Sequence, residues 1–347
     1  LNLCLIGALV VSALWSDSPA MALAWGVAIA GLLQYLWLRI AVQREAMAPG
    51  LRRPRWTPEI KRLFGLIMPG VLGAGVAQIN LLADVFFASL LPAGAVSYLY
   101  YADRLNQLPL GVIGIAVGTA LLPLLSRQIR AGEHAAARAS QNRALELALL
   151  LTLPAAVGLA VLSLPIIEVL FVRGAFGTAD AAATARALAA YALGLPAYVL
   201  VKVLVPGFFA RRDTRTPVKI AIVCLVANVG FILVLMWPLA HVGIALATAL
   251  AAWLNALLLG FVLQREGFLT PDARLRRRLP RIVLVSLAMG ALLWLLQPWL
   301  APLTPGLALA LLIALGGAAF ALLAQLCGAM ALGEVRAALA PRERAAR

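Results

Sequence analysis

Continuous apolar segments, most of them twenty residues or longer, follow one another along almost the whole chain. A transmembrane helix needs about 20 consecutive apolar residues, whereas a membrane barrel would show alternating residues. With 347 residues, of which 63% are hydrophobic and 12% charged, the chain is predicted to be an all-α polytopic membrane protein with about ten transmembrane helices. The predicted helices are approximately 1–15, 21–41, 60–91, 95–125, 143–172, 183–210, 216–237, 241–263, 281–301 and 305–333.

The loops between these helices alternate in charge, although the chain as a whole carries +15. Basic loops lie at about 42–59, 126–142, 211–219 and 264–281 and in the tail, and the loops between them are nearly bare. On the bare side, only the loop with Arg173 and nearby Arg186 carries positive charge. Because Lys and Arg collect in cytoplasmic loops, the pattern predicts a cytoplasmic C-terminus and gives no reason to expect nucleic acid as a partner. We read 126–142 as a short amphipathic helix at the cytoplasmic surface.

Motifs of nucleotide hydrolysis and of hydrolytic enzymes are missing from the sequence. It contains no phosphate-binding loop, no HExxH and no GxSxG. Cys4, Cys224 and Cys327 are scattered in apolar segments without CxxC spacing, and His134 and His241 lie at helix ends. We therefore expect neither an enzyme nor a disulfide or histidine–cysteine metal cluster.

Charged residues inside the predicted helices are the strongest indication of function. Asp103 and Arg104 lie near the middle of the apolar stretch 97–127, and Asp84 lies in the preceding helix. A charge at that depth costs about 2.5 to 3.5 kcal/mol on insertion scales, so it is tolerated where it faces a partner or a polar cavity. Asp84 and Arg104 stand at similar distances from the turn at 92–94, so either they or Asp103 and Arg104 could form an ion pair that only fixes packing.

Further polar residues follow the same helices. Asn80 shares a helical face with Asp84, and Ser97 and Gln107 stand seven before and three after Arg104. This stripe favours a water-filled cavity over a lipid-facing wall. Lys202 is a second intramembrane cation, which could also reach the cytoplasmic end.

Three more polar residues have a structural interpretation when each is taken alone. Asn228 and Thr248 could be helix–helix hydrogen bonds, and Glu146 is expected at the membrane interface. Prolines and glycines interrupt many of the helices, for example Pro69-Gly70 and Pro109. Kinked helices around a polar interior favour a transporter over a static anchor.

Three long stretches resemble one family in order and spacing. They are PGVLGAGVAQINLLADVFFASLL (69–91), YYADRLNQLPLGVIGIAVGTALLPLLSR (100–127) and VKVLVPGFFARRDTRTPVKIAI (201–222). They are similar to the MurJ/MviN lipid II flippases of the multidrug/oligosaccharidyl-lipid/polysaccharide exporter superfamily. The resemblance implies a fourteen-helix fold in which this chain matches helices five to fourteen. We expect the first four helices to be missing, in line with a chain that begins at Leu1 without Met.

The resemblance also implies a division into lobes and a localisation. Residues 1–58 would end the N-terminal lobe, 59–265 would form the C-terminal six-helix lobe, and 266–347 would supply two extra helices and a basic cytoplasmic tail. The protein would be a multi-pass protein of the bacterial cytoplasmic (inner) membrane. It would flip the lipid-linked peptidoglycan precursor, lipid II, from the inner to the outer leaflet by alternating access.

The family's substrate site maps onto Arg104, which would bind the diphosphate of lipid II. Ser97, Asp103, Gln107 and Lys202 would line the same cavity, and some family members carry an acidic residue at the Gln107 position.

The family's sodium site maps onto Asp84, Asn228 and Thr248, together with the Ile244 carbonyl. Ile232 replaces a carboxylate of that site and offers no side-chain ligand. Sodium is the only cofactor that the resemblance suggests, and the membrane potential could drive the cycle without it.

Alternatives remain open at this point. The chain could export another polyprenyl-linked polysaccharide, act as an enzyme on polyprenyl-phosphate sugars, or be a non-transporting membrane scaffold of cell-wall synthesis. The YYADR and PVKIA motifs argue against an exporter of another polysaccharide, and the lack of interfacial carboxylates argues against an enzyme. The buried Asp84 and Arg104 argue against a scaffold, which would not need them. Lipid II and membrane lipids are the expected partners of a monomer that works beside cell-wall synthesis enzymes.

Overall fold

The computed structural model describes residues 2–15, 19–44 and 57–329. Helices occupy all ten predicted segments within these ranges, and the described residues form no β-strand. The predicted all-α class is therefore confirmed. The chain forms two compact units, Leu1–Arg62 and Leu63–Arg347. The predicted lobe divisions at 58 and 265 stay predictions.

The first unit contains a pair of helices, α1 (Asn2–Trp15) and α2 (Pro19–Arg44), which pack against each other. Their close approach is made at Gly26, where an added Cβ would lie 2.7 Å from the Cβ of Ala8. Large apolar side chains of α2, such as Trp25 and Trp37, are exposed on its surface. Such a surface suits a lipid environment.

The second unit begins within α3 (Pro58–Ser89), which crosses the division at Arg62. The remaining helices are α4 (Ala95–Pro109), α5 (Ile115–Arg130), α6 (His134–Val161), α7 (Ser163–Phe171), α8 (Thr178–Phe209), α9 (Arg215–Leu239), α10 (His241–Arg265), α11 (Ala273–Leu300) and α12 (Pro305–Leu326). The last helix ends seven residues before the predicted boundary at 333, and residues 330–333 lie outside the described ranges.

Seven helices in the described part of the chain are long and apolar enough to cross a membrane. They are Met21–Arg44, His134–Val161, Thr178–Phe209, Arg215–Leu239, His241–Arg265, Ala273–Leu300 and Pro305–Leu326. Helices α4 and α5 have 15 and 16 residues, so each alone is shorter than a typical span. They are joined end to end, however, through a π-helical turn at Leu110–Gly114. The chain is therefore a multi-pass membrane protein.

Helix α8 occupies the centre of the second unit and packs against α4, α6 and α10. Its buried face is rich in alanine, which allows neighbouring backbones to approach closely. At Gly194 an added Cβ would lie 2.9 Å from the Cα of Ala249 on α10. Residues on α8 are therefore held tightly relative to α10, and this fixes one wall of the cavity described below.

The junction of α4 and α5 follows from Pro109. Proline has no N–H to donate and clashes with the preceding turn of an α-helix. The backbone N–H of Leu110 instead bonds to the carbonyl of Gln107, and one wide π-turn follows before the α-helix resumes at Ile115. Single π-turns inside α-helices are frequent at functional sites.

The interpretation of 126–142 as a separate amphipathic helix was wrong. Helix α5 continues to Arg130 and α6 begins at His134, so only a short turn separates them. Gly132 makes that turn with φ of 75°, a left-handed conformation that glycine adopts without strain. The polar residues at 134–142 are thus the first turns of α6.

Glu146 lies inside α6 and not near its start, while its predicted position at the membrane interface stays a prediction. Because α6 starts at His134, Glu146 lies more than three turns into the helix, with 7% of its side chain exposed. It is surrounded by Arg143 of its own helix and by Arg274 and Arg278 of α11, and Arg274 Nε lies 3.1 Å from Glu146 Oε2. Arg143 also pairs with Asp272, which caps α11 through the N–H of Leu275. This ion cluster fastens the start of α11 to α6.

Candidate functional site

A cavity of about 700 Å³ opens inside the second unit between α3, α4, the π-turn, α8 and α10. Apolar side chains such as Leu81, Val85 and Leu99 form much of its wall. Its polar lining residues are Gln78, Asn80, Asp84, Tyr100, Asp103, Arg104, Asn106, Gln107, Tyr191, Tyr198, Lys202 and Thr248. A polar cavity of this kind between apolar helices is a candidate binding site.

Arg104 extends from α4 beside a small hydrogen-bonded group. Its Nη1 donates to the side-chain amide oxygen Oε1 of Gln107 at 3.4 Å, and Gln107 Nε2 donates to Asp103 Oδ2. The guanidinium carbon also lies 4.8 Å from the ring centre of Tyr100. Gln107 therefore bridges Asp103 and Arg104 and restricts the orientation of the guanidinium.

Neither ion pair considered from the sequence is formed in the described part of the chain. Arg104 has no carboxylate oxygen within 4.0 Å, and Asp84 instead contacts neutral side chains. A guanidinium carries five N–H donors, of which this one uses a single long hydrogen bond. Most of its donors thus remain available to an anion.

Asp84 joins three helices through neutral donors. Asn228 Nδ2 on α9 lies 3.1 Å from Asp84 Oδ1, and Thr248 Oγ1 on α10 lies 3.1 Å from Asp84 Oδ2. Asn228 Nδ2 also donates to Asn80 Oδ1 at 2.9 Å. The Asp84, Asn228 and Thr248 side chains, far apart in sequence, are therefore brought together.

Acceptor oxygens exceed available hydrogens at this point. Thr248 has one hydroxyl hydrogen, yet its oxygen lies 3.1 Å both from Asp84 Oδ2 and from the Ile244 carbonyl. Asn228 is fully buried, and its Oδ1 has no hydrogen-bond partner within the described ranges. Hard oxygen donors of this kind suit a small cation. Ile232 adds nothing to the set, because it is fully buried in an apolar cluster.

The structure also separates some of the predicted site residues. Lys202 on α8 lines the cavity, whereas Ser97 is exposed and is not among its lining residues. Lys202 also lines an adjoining chamber of about 400 Å³, together with Tyr198, Asn80 and Thr248. The Lys202 ammonium has no hydrogen bond or ion pair to any side chain that the structure describes. Arg104 and Lys202 are thus two cations on two helices of one cavity.

Two tyrosines were missed by sequence reasoning. Tyr191 and Tyr198 line the cavity from α8, and Tyr191 is buried apart from 5% of its surface. Their spacing could have indicated this position, because Tyr191, Tyr198 and Lys202 are seven and four residues apart and so share one helical face.

The chain is similar to a set of bacterial proteins. Residues 1–314 match the family described as "Lipid II flippase MurJ". A "Probable lipid II flippase MurJ" of Rhizobium meliloti is 47% identical over 305 residues, which cover 87% of this chain and 57% of that protein. One from Rhizobium tropici is 41% identical and covers 97% of this chain and 65% of its own length.

A solved structure gives the same result at the level of fold. The structure titled "Lipid II flippase MurJ, inward closed conformation" aligns with a TM-score of 0.74 at 25% identity, covering 94% of this chain and 65% of that chain. The chain thus spans less than two thirds of the length of these relatives. It belongs to the lipid II flippase MurJ family.

Proposed function

We propose that the protein translocates lipid II, a polyprenyl-diphosphate-linked peptidoglycan precursor, across the membrane by alternating access. Family membership supports the substrate class. The observation that carries the proposal is the pairing of Arg104 and Lys202 in one cavity, with neither cation neutralised by a carboxylate within the described ranges. Unpaired cations inside a membrane protein are costly unless they serve a ligand.

The chemistry of the two cations suits a diphosphate. Arg presents a planar fork that matches phosphate oxygens, and Lys adds a compact charge on a movable stem. Gln107 and Asp103 would hold the Arg104 fork in place through their hydrogen bonds. Apolar residues of the same cavity, such as Leu81 and Val85, would accept the first part of the polyprenyl chain.

We propose that Asp84, Asn228 and Thr248 hold a sodium ion when one is bound. The excess of acceptor oxygens there and the buried unpartnered oxygen of Asn228 support this proposal. A bound ion would supply positive charge to the Asp84 carboxylate. Thermal unfolding of the purified protein in sodium chloride and in choline chloride tests it. We expect sodium to raise the midpoint of wild type but not of Asp84→Asn, and equal midpoints for wild type in both salts would contradict the proposal.

Membrane topology completes the proposed function. We propose that the protein is a monomeric transporter, not an enzyme, of the bacterial cytoplasmic membrane, with its C-terminus in the cytoplasm. The basic loops that alternate with bare ones support this orientation.

Growth rescue tests the function. In a host depleted of its own flippase, we expect the protein expressed at full length to restore growth and Arg104→Ala to abolish rescue at unchanged protein level. Arg130→Ala is the matched control, because Arg130 is exposed and bonds only to the Ser126 carbonyl of its own helix within the described ranges. If Arg104→Ala restores growth as well as Arg130→Ala does, Arg104 has only a structural role in packing. Failure of an expressed wild type to rescue would contradict lipid II as the substrate.

A further inference from the structure

The stem of Lys202 lies directly over Gly114, the last residue of the π-turn. A Cβ added at Gly114 would lie 2.7 Å from Lys202 Cδ and 3.5 Å from Cε. The first of these distances is shorter than real Cβ contacts, so even the methyl of an alanine would displace the lysine stem. At Gly118, one turn later, the nearest atom is the Lys202 backbone oxygen at 3.5 Å, an ordinary contact.

The side chain of Lys202 therefore occupies the space that a side chain at position 114 would need, whereas Gly118 faces only the Lys202 backbone. Gly114 is buried, and the first atom that an added Cβ would meet there is Cδ of the Lys202 stem. Lys202 is exposed, and it lines the cavity that also contains Arg104. The course of the stem decides where its ammonium lies.

We propose that Gly114 is a positioning residue. Because it has no side chain, it leaves a groove for the Lys202 stem, and this groove directs the Lys202 ammonium to a place opposite Arg104. Helices α4 and α8 would then each present one cation to the diphosphate. This inference rests on the proposed function. The π-turn sets the groove, because it delivers Gly114 against α8 after Pro109 has interrupted α4.

A packing role and a positioning role make different predictions. A lysine stem has four rotatable bonds and can take another route at small cost, and alanine is a better helix former than glycine. Gly114→Ala should therefore fold normally and yet send the ammonium elsewhere. Its effect should disappear once residue 202 has no charge to misplace. Lys202→Met keeps an unbranched stem over Gly114 and removes only the charge.

Ligand binding by the purified protein tests this inference. The probes are geranylgeranyl diphosphate and geranylgeraniol, which share one apolar chain and differ in the diphosphate. The ratio of their dissociation constants measures recognition of the diphosphate independently of the tail. The variants are Gly114→Ala, Lys202→Met and the double variant, with Gly118→Ala as the glycine-to-alanine control and thermal unfolding measured for each.

We expect wild type and Gly118→Ala to prefer the diphosphate. Lys202→Met should lower that preference about tenfold, as the loss of one charge-assisted contact would. Gly114→Ala should lower it by a similar factor. The double variant should show no further decrease. Three results would overturn the inference. The preference for the diphosphate could be unchanged in Gly114→Ala, or Gly114→Ala could lower it by the same factor when Lys202→Met is already present. The third is a thermal unfolding midpoint of Gly114→Ala well below that of Gly118→Ala. If wild type itself shows no preference for the diphosphate, the proposed function fails with it.

Discussion

In the proposed site, the donors of Arg104 are available to an anion because no carboxylate of a described residue pairs with it. Asp103 directly precedes Arg104 in the chain, yet its carboxylate accepts a hydrogen bond from the Gln107 amide and forms no ion pair with the guanidinium. Asp84, the other acid of the cavity, is held by Asn228 and Thr248. Neutral amides and a hydroxyl thus keep two acids and an arginine apart in a low-dielectric cavity, where a direct pair would be strong.

The contact of Thr248 with Asp84 gives a prediction at the residue scale. Thr248→Val keeps the shape of the side chain and removes one donor to the carboxylate, which should lower the free energy of unfolding by about 1–3 kcal/mol. Thr152→Val is the control, because the Thr152 hydroxyl bonds only to the Ala148 carbonyl one turn back in the described structure. Thermal unfolding of both variants measures the difference. Equal midpoints for the two variants would show that the Asp84 contact does not stabilise the fold.

Ile232 gives a second prediction at this scale. It is fully buried and four residues after Asn228, on the same face of α9. Ile232→Asp should lower the unfolding midpoint in choline chloride, because it buries an uncompensated polar group, and should enlarge the stabilisation that sodium provides. Ile232→Asn supplies the polar control without a charge. If sodium stabilises Ile232→Asp no more than wild type, the sodium site does not extend to this position.

At the scale of elements, the joint between α6 and α11 is electrostatic. Glu146 holds arginines from both helices, while Asn142 Nδ2 donates to the Thr270 carbonyl at 2.8 Å in the loop that leads to α11. Helices α11 and α12 also pack on α6 and α7 through apolar clusters around Ile282 and Leu293. Polar contacts fix the register of α11, and apolar contacts hold it against the unit.

Neutralising Glu146 tests this joint. Glu146→Gln leaves its arginine partners without their shared carboxylate, and because those arginines are partly exposed we expect a loss of about 2 kcal/mol in the free energy of unfolding. Glu168→Gln is the control, since Glu168 is exposed near the end of α7. The measurement is thermal unfolding at low and high salt. A midpoint of Glu146→Gln equal to that of Glu168→Gln would show that the apolar clusters alone hold α11.

At the scale of the whole molecule, the helices could be predicted because each depends on a long local apolar run. The class and the ten helical segments are therefore readable from composition and periodicity. Contacts between distant helices could not be read in this way. The amide of Gln107 could be placed near Arg104 by spacing, but the stem of Lys202 over Gly114 depends on how α5 packs on α8.

Two local predictions missed what packing decides. The start of α6 was predicted at 143, whereas polar residues from His134 onward continue the helix. Ser97 shares a helical face with Arg104, but it is exposed in the first turn of α4 and does not line the cavity, whereas its neighbour Val96 does. Periodicity gives the face of a helix, and only the packed structure shows which residues of that face line a cavity.

The alternating loop charges predict the topology of the whole chain. Thr214 and Thr304 are exposed in loops at opposite ends of the helices. In a background without Cys4, Cys224 and Cys327, an impermeant thiol reagent should label Thr304→Cys in intact cells and Thr214→Cys only after the cells are permeabilised. Labelling of Thr214→Cys in intact cells would reverse the proposed orientation.

The most direct measurement of the central claim is the exposure of lipid II on the outer face of the membrane. In cells depleted of their own flippase, an added hydrolase that cannot cross the membrane cleaves only the lipid II that has been translocated. We predict that the protein expressed at full length restores cleavage, that Arg104→Ala and Lys202→Met reduce it, and that Arg130→Ala does not. Cleavage at the depleted level with well-expressed wild type, or full cleavage with Arg104→Ala, would contradict translocation through this cavity.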